Sequence, residues 1–207
     1  MANQEFTQTH SHRAWDGHLK LDVVDVEAVG TNPLVSFERE IVRRPQAVAI
    51  VPIRHRTITV PRSEIHPTGF SILTEVLLLQ QYRPAINDWI TEIPAGQVDQ
   101  GETLEQAANR ELLEETYHQS TVPLQKLLSY YPSIGHCDEI LHIFIAPDIE
   151  LCAPNNLFHP TDEELFIKTK YVDFRAIPDQ IAAGLYRDGK TLLGLQMAYY
   201  EYYLKPF

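Results

Sequence analysis

Residues 103–117 describe an amphipathic helix whose apolar face carries carboxylates, and this restricts the fold more than anything else in the 207-residue chain. With Leu104 at zero on a wheel of about 100° per residue, Ala108, Glu111 and Glu115 fall within about 40° of it and Glu114 about 80° away. Thr103 is the expected N-cap, with Gln106 three residues on completing a capping-box pattern. Charges held against a core are costly unless neutralised, and Glu111, Glu114 and Glu115 repel one another at neighbouring helical positions. Something cationic has to compensate. Arg110 can offset one carboxylate and Glu102 is its natural partner, which leaves a cluster of hard oxygen ligands of the kind Mg²⁺ or Mn²⁺ prefers. A divalent metal site is the inference, against the alternative that a Glu-rich helix simply presents a solvated face.

Around this helix the apolar residues come in short runs. Segments 19–26, 34–42, 47–53, 72–80, 89–93, 126–131, 140–147 and 168–172 read as strands, and 177–184 and 191–204 as terminal helices. Residues 1–17 are polar without an apolar period and are expected to be a loose lead-in. Segment 54–68 is charged and Pro-containing, a hairpin extension or loop, and 85–88 is a turn. Strands and few helices alternating irregularly favour an α+β or layered α/β sandwich over a regular doubly wound sheet. Hydrophobic residues at 44% and charged residues at 22% indicate a packed domain. The net charge of −11 opposes general nucleic-acid binding. Cys137 and Cys152 form no C-x-x-C pair, so a reducing, cytoplasmic setting is expected. Apolar stretches break within about eight residues, short of a membrane span. His10, His12, His118, His136 and His142 follow no zinc-ligand spacing. The tyrosines 199, 200, 202 and 203 mark an aromatic helix that packs at a terminus or a dimer contact.

The string Gly96-x5-Glu102-x7-Arg110-Glu111-Leu112-x-Glu114-Glu115 is expected by chance on the order of once per 10⁷ to 10⁸ starting points. It resembles the Nudix box, G-x5-E-x7-R-E-U-x-E-E-x-G-U, where U is apolar. The match departs at the end, with Tyr117 for the final glycine and His118 for the final apolar residue. A glycine there suits the left-handed turn that closes a helix. The flanks Gln81-Tyr82-Arg83-Pro84, Glu92-Ile93-Pro94-Ala95-Gly96 and Tyr131-Pro132-Ser133-Ile134-Gly135, leading to Asp138-Glu139 and Leu141-His142-Ile143-Phe144, together resemble the ADP-ribose pyrophosphatase subgroup.

This resemblance implies an α/β/α sandwich over residues 47–207, preceded by an N-terminal strand region over 18–52 that crosses onto a partner in a homodimer. It implies Mg²⁺-dependent hydrolysis of ADP-ribose to AMP and ribose 5-phosphate, with Mn²⁺ as a substitute. By motif position, Glu111 and Glu115 would be the principal metal ligands, Glu114 would support them, and the Ala95 carbonyl would complete one site. Arg110 would orient rather than react, and Glu102 would pair with it. Glu139 would activate the water, with Asp138 as the fallback. Arg83 would touch the phosphates or terminal ribose, using the planar fork that suits phosphate oxygens. Glu92 would contact the nucleotide side of the pocket or the metal network, Gly96 would belong to the substrate-binding set, and Arg39 would approach the adenine or the partner subunit. Phe37 or Trp15 could stack on adenine, although an aromatic near a strand is more often core. Competing expectations are another nucleotide sugar or a flavin or coenzyme diphosphate as substrate, or a nucleotide-binding sensor without catalysis.

Overall fold

A strand needs no apolar face if a neighbour takes up its hydrogen bonds, and the start of the chain shows this. In the computed structural model, which describes residues 4–17, 19–31, 34–152 and 164–205, strand β1 (Phe6–Asp16) is exposed along its whole length. It pairs antiparallel with β2 (Lys20–Ala28) from Phe6 opposite Ala28 to Asp16 opposite Lys20. The expected loose lead-in over 1–17 is therefore corrected: backbone pairing makes the strand, and backbone pairing leaves no apolar period to read. β3 (Ser36–Arg43) pairs antiparallel with the other edge of β2.

These strands belong to a unit of residues 1–46 and 130–141. Charges tie it together. Arg13 and Arg43 both hold Asp22, the latter at 2.9 Å. Arg43 Nη1 also reaches Asp138 at 3.1 Å, and the Arg44 backbone N–H donates to Asp138 Oδ1 at 2.9 Å. The Val42 N–H donates to the His136 carbonyl at 2.8 Å, which joins segment 130–141 to β3.

The second unit, residues 47–129 and 142–207, holds β4 (Ala47–Thr59), β5 (Phe70–Arg83), β6 (Asp88–Glu92), β7 (Ala95–Gln97), α1 (Leu104–Thr116), β8 (His118–Ser120), β9 (Gln125–Tyr130), β10 (Leu141–Ala146), β11 (Ile149–Leu151), β12 (Lys168–Asp173), α2 (Ile177–Ala182) and α3 (Gly189–Tyr199). Among the described residues the main sheet runs β12-β5-β4-β10-β9, with β6 added to β5 and β7 to β4. The first seven residues of β4 are all buried, because both faces of the strand are covered. Val48 and Ile50 join Leu77, Phe144 and Ala146 against Ala107, Ala108 and Leu112 of α1. The alternate side serves α3: a Cβ added to Gly194 would lie 2.9 Å from Ile93 Cδ1 and 3.1 Å from Val51 Cγ2. That glycine lets the helix backbone approach the sheet. Each large apolar side chain buried here is worth roughly 1.5–3 kcal/mol, and the outcome is an α+β fold with helix on both faces of a mixed sheet.

Beyond residue 53, β4 and β5 continue as an antiparallel ladder out to Thr59 opposite Phe70, so 54–59 is a hairpin extension and 60–68 the loop that closes it, in keeping with the expectation for 54–68. Several elements differ from the sequence reading. The three-residue strands β7, β8 and β11 carry no period long enough to recognise. α3 starts two residues before the expected 191, because the Asp188 side chain accepts from the Thr191 N–H at 3.0 Å and caps it. It continues into a single π-helical turn, Tyr200–Leu204. Phe174 is fully buried and takes Tyr199, Tyr202 and Tyr203 around it at 5.7–5.8 Å between ring centroids. No described helix is long and apolar enough to cross a membrane.

Candidate active site

α1 begins as its sequence dictates. Thr103 Oγ1 accepts from the Gln106 N–H at 3.2 Å, and Gln106 Oε1 accepts from the Thr103 N–H at 2.8 Å. At the other end Tyr117 stands in the left-handed region, φ 60 and ψ 27, and its N–H donates to the Leu113 carbonyl at 2.8 Å. The turn that a glycine would make is thus made by tyrosine, at a cost of roughly 1–2 kcal/mol. His118 is buried where an apolar residue was expected. Its Nδ1 lies 2.7 Å from the Thr116 carbonyl and its Nε2 2.7 Å from the Tyr171 hydroxyl. A carbonyl can only accept, so Nδ1 carries the proton and Nε2 accepts from Tyr171. Burial pushes its pKa down, and the neutral ring fills the site with both nitrogens satisfied.

The carboxylates of α1 gather on one cation. Arg110 donates to Glu102 Oε1 and Oε2 at 2.9 Å each, to Glu111 Oε1 at 2.7 Å, to Glu114 Oε2 at 2.9 Å and to the Gln97 carbonyl at 2.9 Å. Three carboxylates on one guanidinium leave negative charge over, and Arg110 is held well above its ordinary pKa, chiefly by Glu102. Glu115 lies apart from that pairing. Its Oε2 accepts from the Ala95 N–H at 2.9 Å. Burial pushes its pKa up to about 8; the Ala95 N–H opposes the shift and the Glu111 charge adds to it. Glu111, 7% exposed, packs over Gly96 so closely that a Cβ there would overlap its carboxylate.

Among the described residues, no three His, Cys, Asp or Glu side chains are gathered tightly enough to hold a metal as they stand. Glu111 and Glu114 are turned onto Arg110 instead. The donor set nevertheless fits a hard dication. It offers carboxylate and carbonyl oxygens close together, and it includes a carboxyl whose charged form burial disfavours and a bound dication would stabilise.

A second charged group adjoins this turn. Arg83 donates from Nε and Nη2 to the two oxygens of Glu92 at 2.6 and 2.7 Å. Lys190 also binds Glu92 Oε2 and lies 3.1 Å from Asp188. Burial by itself would raise the Glu92 carboxyl, which is 3% exposed, but Arg83 and Lys190 outweigh it and hold it below the usual range. A cleft of about 620 Å³ is lined by Arg83, Glu92, Lys190, Asp88, Arg187 and Ile90, among others. Segment 92–96 links the two groups: the Ile93 N–H donates to Thr191 Oγ1 of α3 at 2.9 Å, and two residues on Ala95 meets Glu115 of α1.

The structure therefore brings Arg83, Glu92, Ala95, Gly96, Glu102, Arg110, Glu111, Glu114 and Glu115 into one unit. Arg39 and Glu139 belong to the other. There Arg39 sits 4.5 Å over the Phe37 ring, and Glu139 accepts from Arg44 Nε at 3.1 Å. Phe37 and Trp15 are exposed rather than core. Sequence reasoning missed Asp188, Lys190 and Thr191. The signal was present as an N-cap aspartate ahead of a helix, Asp188-Gly189-Lys190-Thr191.

A mixed sheet thus lies between helices, with a capped acidic helix packed on the Pro94-Ala95-Gly96 segment. The NUDIX domain model matches residues 65–191, and the chain belongs to this family as a Nudix hydrolase. It is 28% identical over 159 residues to the ADP-ribose pyrophosphatase of Bacillus subtilis (strain 168), covering 77% of this chain and 75% of that protein. It is 34% identical over 128 residues to the methanol dehydrogenase activator of Bacillus methanolicus, covering 62% of this chain and 58% of that one, less than two thirds of its length. A solved structure described as that of an ADP compounds hydrolase superposes with a TM-score of 0.70 at 18% identity, covering 96% of this chain and 94% of its own.

Proposed function

We propose that the protein hydrolyses the diphosphate bond of ADP-ribose, giving AMP and ribose 5-phosphate, with Mg²⁺ as cofactor and Mn²⁺ as a substitute. The observation that carries this reading is the buried Glu115 carboxyl, bonded to the Ala95 N–H beside a Glu111 carboxylate packed over Gly96. Similarity to the Bacillus subtilis ADP-ribose pyrophosphatase over three quarters of that protein supports the substrate.

Glu111, Glu115 and the Ala95 carbonyl would hold the dication, with Glu114 in support. Bound there, it supplies charge neutralisation at the diphosphate and acidification of a water. The chain does the rest. Arg110, fixed by Glu102, keeps Glu111 and Glu114 aimed and bears no proton traffic, because a guanidinium stays protonated. Arg83 meets phosphate oxygens through its planar fork. Glu92 holds that fork, and Gly96, whose missing Cβ leaves room for the Glu111 carboxylate, belongs to the substrate-binding set by motif position. By motif position alone, Glu139 would be the base for the attacking water, with Asp138 as the alternative. Arg39 approaches the adenine or a partner subunit. The working form is a homodimer in the cytoplasm, where Cys137 and Cys152 remain the free thiols they are in this structure.

Incubation with ADP-ribose and Mg²⁺, with AMP followed by chromatography, tests the activity; absence of AMP refutes it. A panel of other nucleotide sugars and of flavin and coenzyme diphosphates reads the alternative substrates. Glu115→Gln is expected to cut turnover by about 100-fold or more, and a mutant as active as the parent would overturn the metal assignment.

A further inference from the structure

We propose that Lys190 is a positioning residue for the substrate's diphosphate, acting through Glu92 on Arg83; the inference rests on the reading of Arg83 as a phosphate-binding arginine. Arg83 has committed two nitrogens to Glu92, at 2.6 and 2.7 Å. Taken alone, that pair is neutral and offers a diphosphate little attraction. Lys190 brings a second cation to the same carboxylate and draws the Glu92 charge away from Arg83, while Asp188 beside Lys190 keeps the four groups on the wall of the cleft neutral in sum. With Glu92 held from both sides, the Arg83 guanidinium is fixed too. Its Nη1 edge, for which no acceptor stands among the described residues, is the one that can turn to a phosphate oxygen.

The placement of Lys190 is specific. Its side chain is only 12% exposed, so solvent does little to support the charge, and an ammonium in that position is costly unless carboxylates flank it. Glu92 is one and Asp188 the other, at 3.1 Å. Asp188 is already engaged as the cap of α3, accepting from the Thr191 N–H at 3.0 Å and from Thr191 Oγ1 at 2.5 Å. Its charge is drawn to the helix N-terminus, which leaves the Lys190 ammonium to Glu92. Because Lys190 sits in the first turn of α3, a rigid element sets its position.

The test is a charge cycle on the full-length chain: Lys190→Met, Lys190→Arg, Glu92→Gln and the Lys190→Met/Glu92→Gln pair. ADP-ribose binding is measured by calorimetry in EDTA, where no turnover intrudes. Lys190→Met is expected to weaken binding about tenfold and Lys190→Arg by no more than about threefold. In the Glu92→Gln background the same Lys190→Met change should cost less than about twofold, since Arg83 no longer faces a charged carboxylate. A merely structural lysine would give the same loss in both backgrounds, and that result, or unchanged affinity in Lys190→Met, overturns the proposal. If Lys190→Met does not fold, Lys190→Gln replaces it, and equal affinities of the Gln and Arg variants overturn the proposal. Binding without hydrolysis in Mg²⁺ refutes the proposed activity alone, hydrolysis with a flat cycle or with no binding in EDTA refutes the role of Lys190 alone, and a parent that neither binds in EDTA nor hydrolyses in Mg²⁺ refutes both.

Discussion

Glu115 shows how burial outweighs local helix chemistry at one residue. In the folded, metal-free chain its pKa is pushed up to about 8 from an ordinary 4.5, mainly by desolvation. Between those values the native state keeps a proton that the unfolded chain has released. The group's contribution to stability is therefore complete below about 4.5 and is lost as pH rises through about 8. Urea denaturation in EDTA at pH 5 and pH 9 is expected to show the parent losing on the order of a few kcal/mol more than Glu115→Gln. Gly96 makes the complementary case. A Cβ there would displace only the far end of the Glu111 side chain, so Gly96→Ala should melt within about 4 °C of the parent. Moving a carboxylate by about 1 Å should nevertheless lower turnover on the order of 100-fold. Calorimetric melting and steady-state kinetics measure the two effects separately. The face carrying Glu111 and Glu115 was legible because a helix repeats every 3.6 residues. The pairing of Arg110 with Glu102 was legible too; that the same guanidinium also takes the Gln97 carbonyl was not, since it depends on where β7 is brought.

At the scale of elements, the ends of α1 and α3 carry the testable energetics. Tyr117 holds a left-handed conformation that glycine adopts without penalty, so Tyr117→Gly should stabilise the fold by about 1 kcal/mol. The reading is a higher urea midpoint at unchanged slope. Asp188→Ala should cost about 1 kcal/mol as a lost N-cap, and because it also leaves Lys190 with Glu92 alone, the loss should shrink in a Lys190→Met background. Both helices were legible, α1 to within a residue at each end, because caps and periodicity are local. The strands β7, β8 and β11 were not, because three residues acquire strand geometry only from a partner such as β4, or from each other.

For the whole molecule, 28 acidic against 17 basic residues give self-repulsion that salt relieves. The proposed homodimer should sediment at twice the 23.7 kDa chain mass in about 0.15 M salt, and a species at the chain mass across the micromolar range would remove that assignment. What the chain determined by itself was everything set by neighbours within a few residues: the capped helix, its acidic face, the apolar strand 47–53 and the motif from Gly96 to Glu115. Tertiary structure alone decided that β1 is a strand, that Glu139 rests on Arg44, 95 residues away in the chain, and that Lys190 meets Glu92 across 98. The reason is physical. A helix hydrogen-bonds within itself and advertises its period, whereas a ladder or an ion pair is made by whichever distant segment the fold sets alongside.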